Sequence, residues 1–145
     1  MGVLSLRRKI QLLQPRLMDF VEETLNQLQE EIVKLNQEQL AEGQRSDGSK
    51  MPNYTPATKL IKAEKGTTLT GERISLLDRG DFWSSFWVKA ESGKLLFDAS
   101  DWKTEMLIKE YGSLIFGLSD IQKEALAELA RPILYEKIIN FLKSA

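Results

Sequence analysis

The chain has 145 residues, 42% of them hydrophobic, which fits one compact domain that buries roughly two-thirds of the surface exposed by its unfolded chain. It contains no cysteine and no histidine, which excludes disulfides, thiolate nucleophiles, sulfur-ligated zinc and the commonest general base at neutral pH. Its net charge of −1 gives no overall electrostatic attraction to nucleic acid, so any contact with DNA must be local.

Residues 1–42 are predicted to form a long helical segment. A short helical piece from Leu4 to Leu13 precedes a longer helix from Pro15 to about Ala41. Its apolar residues recur at steps of three and four; they are Leu17, Phe20, Val21, Leu25, Leu28, Ile32, Leu35 and Leu40. At 1.5 Å per residue this helix is about 40 Å long. Its stripe packs either on the chain's own sheet or against another subunit, and both readings stay open.

The apolar residues near the N-terminus are too interrupted for a signal peptide, and no stretch reaches the roughly 20 apolar residues of a membrane span. We therefore expect a protein made in the cytoplasm without a membrane partner.

Residues 43–73 are expected to form an exposed loop or arm. Gly43 to Gly66 contains Pro52, Pro56 and the turn sequence Ser46 to Gly48, and such residues favour irregular structure. Loops of this length in small domains are usually functional or ordered by binding. The loop is therefore a candidate contact arm.

Residues 74–118 are predicted to form a small antiparallel sheet with short helices. The predicted strands are Ile74–Leu77, Trp87–Ala90 and Lys94–Ala99, and the last two form a hairpin through Glu91, Ser92 and Gly93. One helical turn near Asp81 is expected to lead into the second strand, and a short helix from Trp102 is expected to end at Gly112.

Residues 119–143 read as a C-terminal helix. Ser119 and Gln122 form a capping-box pattern at its start, and Pro132 is expected to kink or restart it. Together these elements predict a single α+β domain, with a long N-terminal amphipathic helix on a small antiparallel sheet, a C-terminal helix and a long central loop.

Motifs for phosphate loops, dinucleotide binding and serine nucleophile elbows are missing from the sequence. A pair of carboxylates is the acid/base arrangement that remains, with Asp78 and Asp81 or Asp98 and Asp101 as candidates beside aromatic residues. The same aspartates also read as helix caps and turn formers. We expect no enzyme activity, no cofactor and no metal site, and keep a carboxylate-based glycan hydrolase as one alternative.

Four large aromatic residues lie within six positions, namely Phe82, Trp83, Phe86 and Trp87. Such a cluster is usually part of a core, but it can also anchor a neighbouring subunit. We do not expect all four to point inward, so Trp83 or Trp87 is a candidate for an interface.

Read in order, the sequence resembles the neck or tail-completion proteins of tailed phages, a family named for virion morphogenesis in phage Mu. The early tract of the family is similar to Tyr54, Thr58, Lys62 and Gly66. Its central signature is similar to Leu77, Gly80, Phe82 and Ser85, with Arg79 in place of the usual threonine.

The later elements of this family also have counterparts in the chain. The run from Ile108 to Gly112 is similar to the third element, with Lys109 in place of the usual histidine and Tyr111 as its aromatic residue. The run from Phe116 to Asp120 is similar to the last element, without the proline and arginine that usually precede it.

The resemblance implies a non-enzymatic virion protein that forms or completes the ring joining head and tail. Its implied partners are further copies of itself, portal or adaptor proteins, tail tube or tail terminator proteins, and DNA in the channel without sequence readout. The implied location is the head-tail junction, after assembly in the host cytoplasm. A cytoplasmic adaptor that binds a partner through the long helix is a further alternative. The candidate interface residues are Leu25, Leu28, Ile32, Leu35, Tyr54, Trp83, Trp87, Lys109, Tyr111 and Phe116.

Overall fold

The computed structural model of the chain describes residues 3–65, 73–77 and 80–144. Helix α1 spans Val3–Leu13, a 3-10 turn spans Gln14–Arg16, and helices α2 and α3 span Leu17–Gln27 and Gln29–Ala41. These helices confirm the helical N-terminal segment. The predicted long helix is divided at Leu28, where φ is −103° and ψ is 20°. There is no glycine or proline at this position, and the apolar pattern continues through the break unchanged. The break therefore has no local signal in the sequence.

The prediction of a long exposed loop after Ala41 is not confirmed, because its described residues include a helix and several buried side chains. Helix α4 spans Pro56–Lys65. The Thr55 hydroxyl oxygen accepts a hydrogen bond from the Thr58 backbone N–H at 3.1 Å, which is the role of an N-cap, and Pro56 suits the first helical position. Gly43, Met51 and Tyr54 are buried, so the segment before α4 is part of the packed structure. Gly66 lies outside the described residues.

The sheet has two strands among the described residues, β1 at Phe86–Glu91 and β2 at Lys94–Ala99, paired antiparallel. Ser92 and Gly93 have φ values of 51° and 77°, which is the geometry of a tight two-residue hairpin turn. The predicted strand at Ile74–Leu77 is wrong, because Leu76 adopts a φ of 64° that an extended strand does not allow. An isolated bridge between Asn53 and Arg73 lies just before it.

The remaining elements follow the sequence prediction closely. Helix α5 spans Asp81–Ser84 and leads into β1, and helix α6 spans Thr104–Tyr111 and ends at Gly112, whose φ is 92°. A 3-10 turn at Ser113–Ile115 precedes helix α7, Asp120–Lys143. The restart of the helix predicted as one outcome at Pro132 does not occur, because α7 continues through this residue. Pro132 has no N–H to donate to the Glu128 carbonyl. Because Glu128 is exposed, water can hydrogen-bond to that carbonyl instead.

Two groups of buried side chains form the core, and α3 contributes to both. One group joins the helices to the inner face of β1 and to α7; it consists of Leu28, Ile32, Leu35, Val88, Leu118 and Leu126. The other lies at the opposite end of the hairpin; it consists of Leu40, Met51, Phe82, Phe86, Ala99 and Ile115. The half-buried Val33 packs against both groups, so α3 connects the two parts of the core.

Candidate assembly surfaces

The apolar stripe of the N-terminal helices faces the chain's own core. Leu28, Ile32 and Leu35 are buried, and Leu25 is half-buried against them. They pack on Val88 of β1 and on residues of α7. In this conformation Leu28, Ile32 and Leu35 are covered by the same chain and offer no surface to another subunit, whereas Leu25 keeps part of its side chain exposed.

The aromatic cluster divides between core and surface. Phe82 and Phe86 are buried, with ring centroids 4.8 Å apart in an edge-to-face arrangement. Trp83 is half-buried, and its indole N–H donates to the Ser75 carbonyl at 3.0 Å. Trp87 points to the outer face of the hairpin and is 43% exposed. Of the two tryptophans considered for an interface, Trp87 is therefore the exposed one.

The other four candidate residues occupy different environments. Tyr54 is buried, and its hydroxyl accepts a hydrogen bond from the Ser75 backbone N–H at 3.3 Å. Phe116 is half-buried, 5.2 Å from the Phe86 ring. Tyr111 is half-buried and Lys109 is exposed. Burial raises the pKa of the Tyr111 phenol, and the negative charge of Glu110 adds to this effect. The structure does not bring these four and the helix stripe into one surface.

Helix α7 carries an apolar surface that the sequence analysis missed. All 24 of its residues are described, and Leu126 is the one in the buried class. Large apolar side chains also lie on the side away from the core; they are Ile121, Leu129, Tyr135 and Ile139, between 43% and 78% exposed. Exposed charged residues such as Glu124, Glu128 and Arg131 lie between them along the helix, so the outward side of α7 is mixed rather than polar throughout, as the face of a fully solvated helix would be. This signal was present in the sequence, where the helix has no clearly polar face.

The two edges of the hairpin differ. On β1, the Asn26 side chain forms two hydrogen bonds with the Ala90 backbone. The backbone N–H and carbonyl of Ala90 therefore point away from β2, so Ala90 and Leu95 form a non-hydrogen-bonded pair. Such pairs alternate along the ladder, so Val88 and Phe97 form another. The backbone groups of Leu95 and Phe97 therefore point to the outer edge of β2. No other strand lies there within the part of the chain that is described.

A shallow groove of about 520 Å³ runs along this outer edge of β2. Its apolar walls come from β2 and from the segment before α7; they are Leu95, Phe97, Leu114, Phe116 and Leu118. An unpaired strand edge beside apolar walls is a template for an added strand. Of the predicted interface residues, Phe116 contributes to this groove.

The candidate catalytic carboxylates are engaged in local structure where they are described. An Asp98 carboxylate oxygen accepts the Ala99 N–H at 2.8 Å, and an Asp101 carboxylate oxygen accepts the Lys103 N–H at 2.9 Å. Asp81 is exposed in the first turn of α5, and Asp78, like Arg79 of the family signature, lies outside the described residues. The Asp101 contact fits the turn-forming role expected for it, whereas Asp98 lies within β2, paired with Trp87, and not in a turn.

Residues 3–65, 73–77 and 80–144 contain neither a metal-ligand cluster nor a membrane-spanning helix. Within these ranges, no cluster of three or more acidic residues is arranged to hold a metal ion. None of the helices in the same ranges combines the length and the apolar character needed to cross a bilayer.

Comparison of the chain with protein-family models, with characterised proteins and with solved structures finds no match.

Proposed function

We propose that this chain is a structural protein of a tailed phage virion, which forms or completes the ring between head and tail through contacts between subunits. Two lines support the proposal. One is the ordered series of motif residues from Tyr54 to Asp120 that resembles the neck and tail-completion family. The other is the outward apolar surface of α7, which is the structural observation that carries the proposal.

The argument from α7 rests on solvation. A helix of 24 residues is about 36 Å long, and leaving several large apolar side chains in water forgoes roughly 25 cal/mol for each Å² that a partner would cover. Ile121 is 78% exposed and Tyr135 is 56% exposed. Tyr135 and Ile139 lie one turn apart on this helix, and exposed apolar residues that are neighbours mark an interaction surface more often than single ones do. Assembly into a ring would cover this surface.

The free edge of β2 supplies a second kind of contact. A ring requires two different surfaces on each subunit, so that one subunit's first surface meets the next subunit's second surface. The outer face of α7 and the edge of β2 with its apolar groove are two such surfaces. In this proposal neither contact needs a catalytic residue, a cofactor or a metal ion.

The proposal is tested by measuring assembly and virion incorporation of the full chain. Light scattering coupled to size exclusion at high protein concentration should detect ring-sized species, either alone or after addition of portal or tail tube proteins. The variant Tyr135→Lys/Ile139→Lys should stay folded and lose these species. The matched control Glu136→Lys/Lys143→Glu alters charge on exposed residues of the same helix and should assemble normally.

Virion incorporation is the second arm of the test. Mass spectrometry of purified phage particles should detect the chain, and particles made without it should have separate heads and tails. A chain that stays monomeric with all these partners and is missing from intact particles would contradict the proposal.

A further inference from the structure

The outer edge of β2 is open over a short length. The backbone N–H and carbonyl groups of Leu95 and Phe97 point to this edge, and none of them has a hydrogen-bond partner in the described part of the chain. The edge is closed at Ala99, where the N–H donates to the Asp98 carboxylate at 2.8 Å and the carbonyl accepts from the Thr104 hydroxyl at 3.2 Å. An added strand therefore finds its free partners at Leu95 and Phe97.

This open edge is complementary to a second copy of itself. When two β2 strands run antiparallel with Leu96 opposite Leu96, Leu95 of each copy lies opposite Phe97 of the other. In an antiparallel ladder these become hydrogen-bonded pairs, because the backbone groups of both residues point toward the new neighbour. Every open backbone group of both copies then has a partner.

The charged residues of β2 match in the same register. Lys94, Leu96 and Asp98 share the outer face of the strand and are exposed. With Leu96 on the axis, Lys94 of each copy lies directly opposite Asp98 of the other. Opposite residues of an antiparallel pair have Cβ atoms about 4.5 to 5.5 Å apart, which is close enough for an ion pair. The pairing therefore joins opposite charges twice, once on each side of the axis.

The inner face of the strand gives the pairing an apolar side. Leu95 and Phe97 are half-buried there and line the groove of about 520 Å³ together with Leu114, Phe116 and Leu118. A second β2 strand would lie about 4.8 Å from the first, and its own Leu95 and Phe97 would face the same side of the sheet. The grooves of the two copies would then adjoin, and apolar surface of both would leave the solvent.

The neighbouring registers of the same pairing are less favourable. With Phe97 opposite Phe97, Leu95 would face Ala99, whose N–H and carbonyl are already bonded. With Leu95 opposite Leu95, Phe97 would face Gly93, which lies in the hairpin turn at a φ of 77°. Neither register places a lysine opposite an aspartate. Hydrogen bonds and charges thus select the register centred on Leu96.

We propose that the free chain forms a two-fold dimer through β2, in which two hairpins join into one four-stranded antiparallel sheet. One strand from each subunit makes a smaller interface than that of a permanent dimer, so the dimer dissociates readily. The ring of the proposed function uses this same edge, and the dimer therefore keeps the edge covered until a neighbour in the ring replaces it. The dimer itself does not depend on the ring.

The test uses analytical ultracentrifugation of the full chain over a concentration series, without phage partners. Lys94→Glu and Asp98→Lys each place like charges opposite one another twice, and each should weaken the dimer at least about tenfold. An equimolar mixture of these two variants should dimerise again, because every pair across the interface then joins opposite charges. Lys89→Glu is the matched control, since it reverses an exposed charge on β1 and should leave the dimer unchanged.

Hydrogen exchange of the unmodified chain provides a second measurement and decides if a variant does not fold. Exchange at the Leu95 and Phe97 amides should slow as the protein concentration rises. The Leu96 amide, which faces β1, should be protected at every concentration. Tyr135→Lys/Ile139→Lys, which disrupts the ring contact on α7, should keep the dimer, so failure of the ring and failure of the dimer give different results.

Four results would overturn the proposal. They are a monomer at millimolar concentration, a dimer that both single charge reversals leave intact, a mixture of the two reversed variants that stays monomeric, and exchange at Leu95 and Phe97 that is independent of concentration.

Discussion

The side chain of Asn26 in α2 pairs with the backbone of Ala90 in β1 through two hydrogen bonds. Its amide nitrogen donates to the Ala90 carbonyl at 3.0 Å, and its carbonyl oxygen accepts the Ala90 N–H at 2.9 Å. One side chain thus occupies both backbone groups that Ala90 would offer to a neighbouring strand. This arrangement blocks strand addition to β1 at Ala90 and favours addition at β2.

Replacement of Asn26 by alanine should destabilise the fold by about 1 to 3 kcal/mol, because two partly buried backbone groups lose their partners. Urea unfolding measures the change. Gln29→Ala is the matched control: Gln29 donates to the Asn26 side chain at 3.0 Å in an exposed contact, and its loss should cost less than about 0.5 kcal/mol. Equal losses for the two variants would show that the pairing with Ala90 contributes little.

Two amides of α3 hold the segment that leads into α7. Asn36 donates to the Ile115 carbonyl at 2.9 Å and accepts the Gly117 N–H at 3.2 Å, while Gln39 donates to the Gly117 carbonyl at 3.1 Å and accepts the Ser119 N–H at 2.6 Å. Both side chains are buried. Four backbone groups of the segment are therefore paired by side chains, without a sheet or a helix.

Asn36→Ala should speed hydrogen exchange at the Gly117 amide and cost about 1 to 3 kcal/mol of stability. Exchange at Ser119, which is bonded to Gln39, should respond less strongly. Exchange-detected NMR resolves the two amides, and the exposed neighbour Glu38→Ala provides the comparison. An unchanged Gly117 amide in the alanine variant would contradict the assigned bond.

Gly43 and Gly48 form a natural pair for testing close packing. Both have positive φ, 71° and 85°. A Cβ at Gly43 would lie 2.5 Å from the Cβ of Arg73, whereas a Cβ at Gly48 would meet no atom within 4 Å among the described residues. Both alanine variants carry the backbone cost of a left-handed residue, about 1 to 2 kcal/mol. Gly43→Ala should lose at least about 1 kcal/mol more in thermal or urea unfolding, and equal losses would exclude the tight approach to Arg73.

The raised pKa of Tyr111 predicts a pH dependence at the alkaline end. Burial and the charge of Glu110 favour the neutral phenol in the folded chain, so its pKa lies above the ordinary value of 10.0. This contribution to stability is complete below the ordinary pKa and is lost as the pH rises through the folded one. The ultraviolet titration of the chain minus that of Tyr111→Phe isolates this phenol. Its midpoint should exceed 10.0 and should fall in Glu110→Gln; a midpoint at or below 10.0 would contradict the assignment.

Local signals in the sequence predicted several elements well because the determining residues are neighbours in the chain. Gly112 ends α6, and Ser119 caps α7 by accepting the Gln122 N–H at 3.4 Å. The other half of the predicted capping box was wrong, since the Gln122 side chain instead donates to the Leu35 carbonyl at 2.9 Å. That bond joins residues 87 positions apart, and periodicity holds no information on such a contact.

The candidate surfaces were harder to predict for the same physical reason. An apolar stripe on a helix indicates that this face is covered in the folded protein. Which element covers it depends on how segments distant in sequence pack together. Here Ile32 is covered by this chain, whereas Ile121 of α7 is left in solvent. The misplaced strand at residues 74–77 has a similar origin. The short apolar run there suggested a strand, but its conformation is set by the buried hydrogen bonds of Ser75 with Tyr54 and Trp83, which are distant in sequence.

The pairing of α1 with α7 sets the order in which the chain can reach its final structure during synthesis. The Lys9 ammonium donates to the Leu142 carbonyl at 3.0 Å, and the Phe20 and Phe141 rings lie 5.8 Å apart. At about 5 to 20 residues per second, the ribosome needs several seconds to make the residues between these partners. Throughout that interval the parts of α1 and α2 that pack on α7 are uncovered. The nascent chain therefore exposes these apolar residues to premature association, or to capture by a chaperone, until α7 emerges.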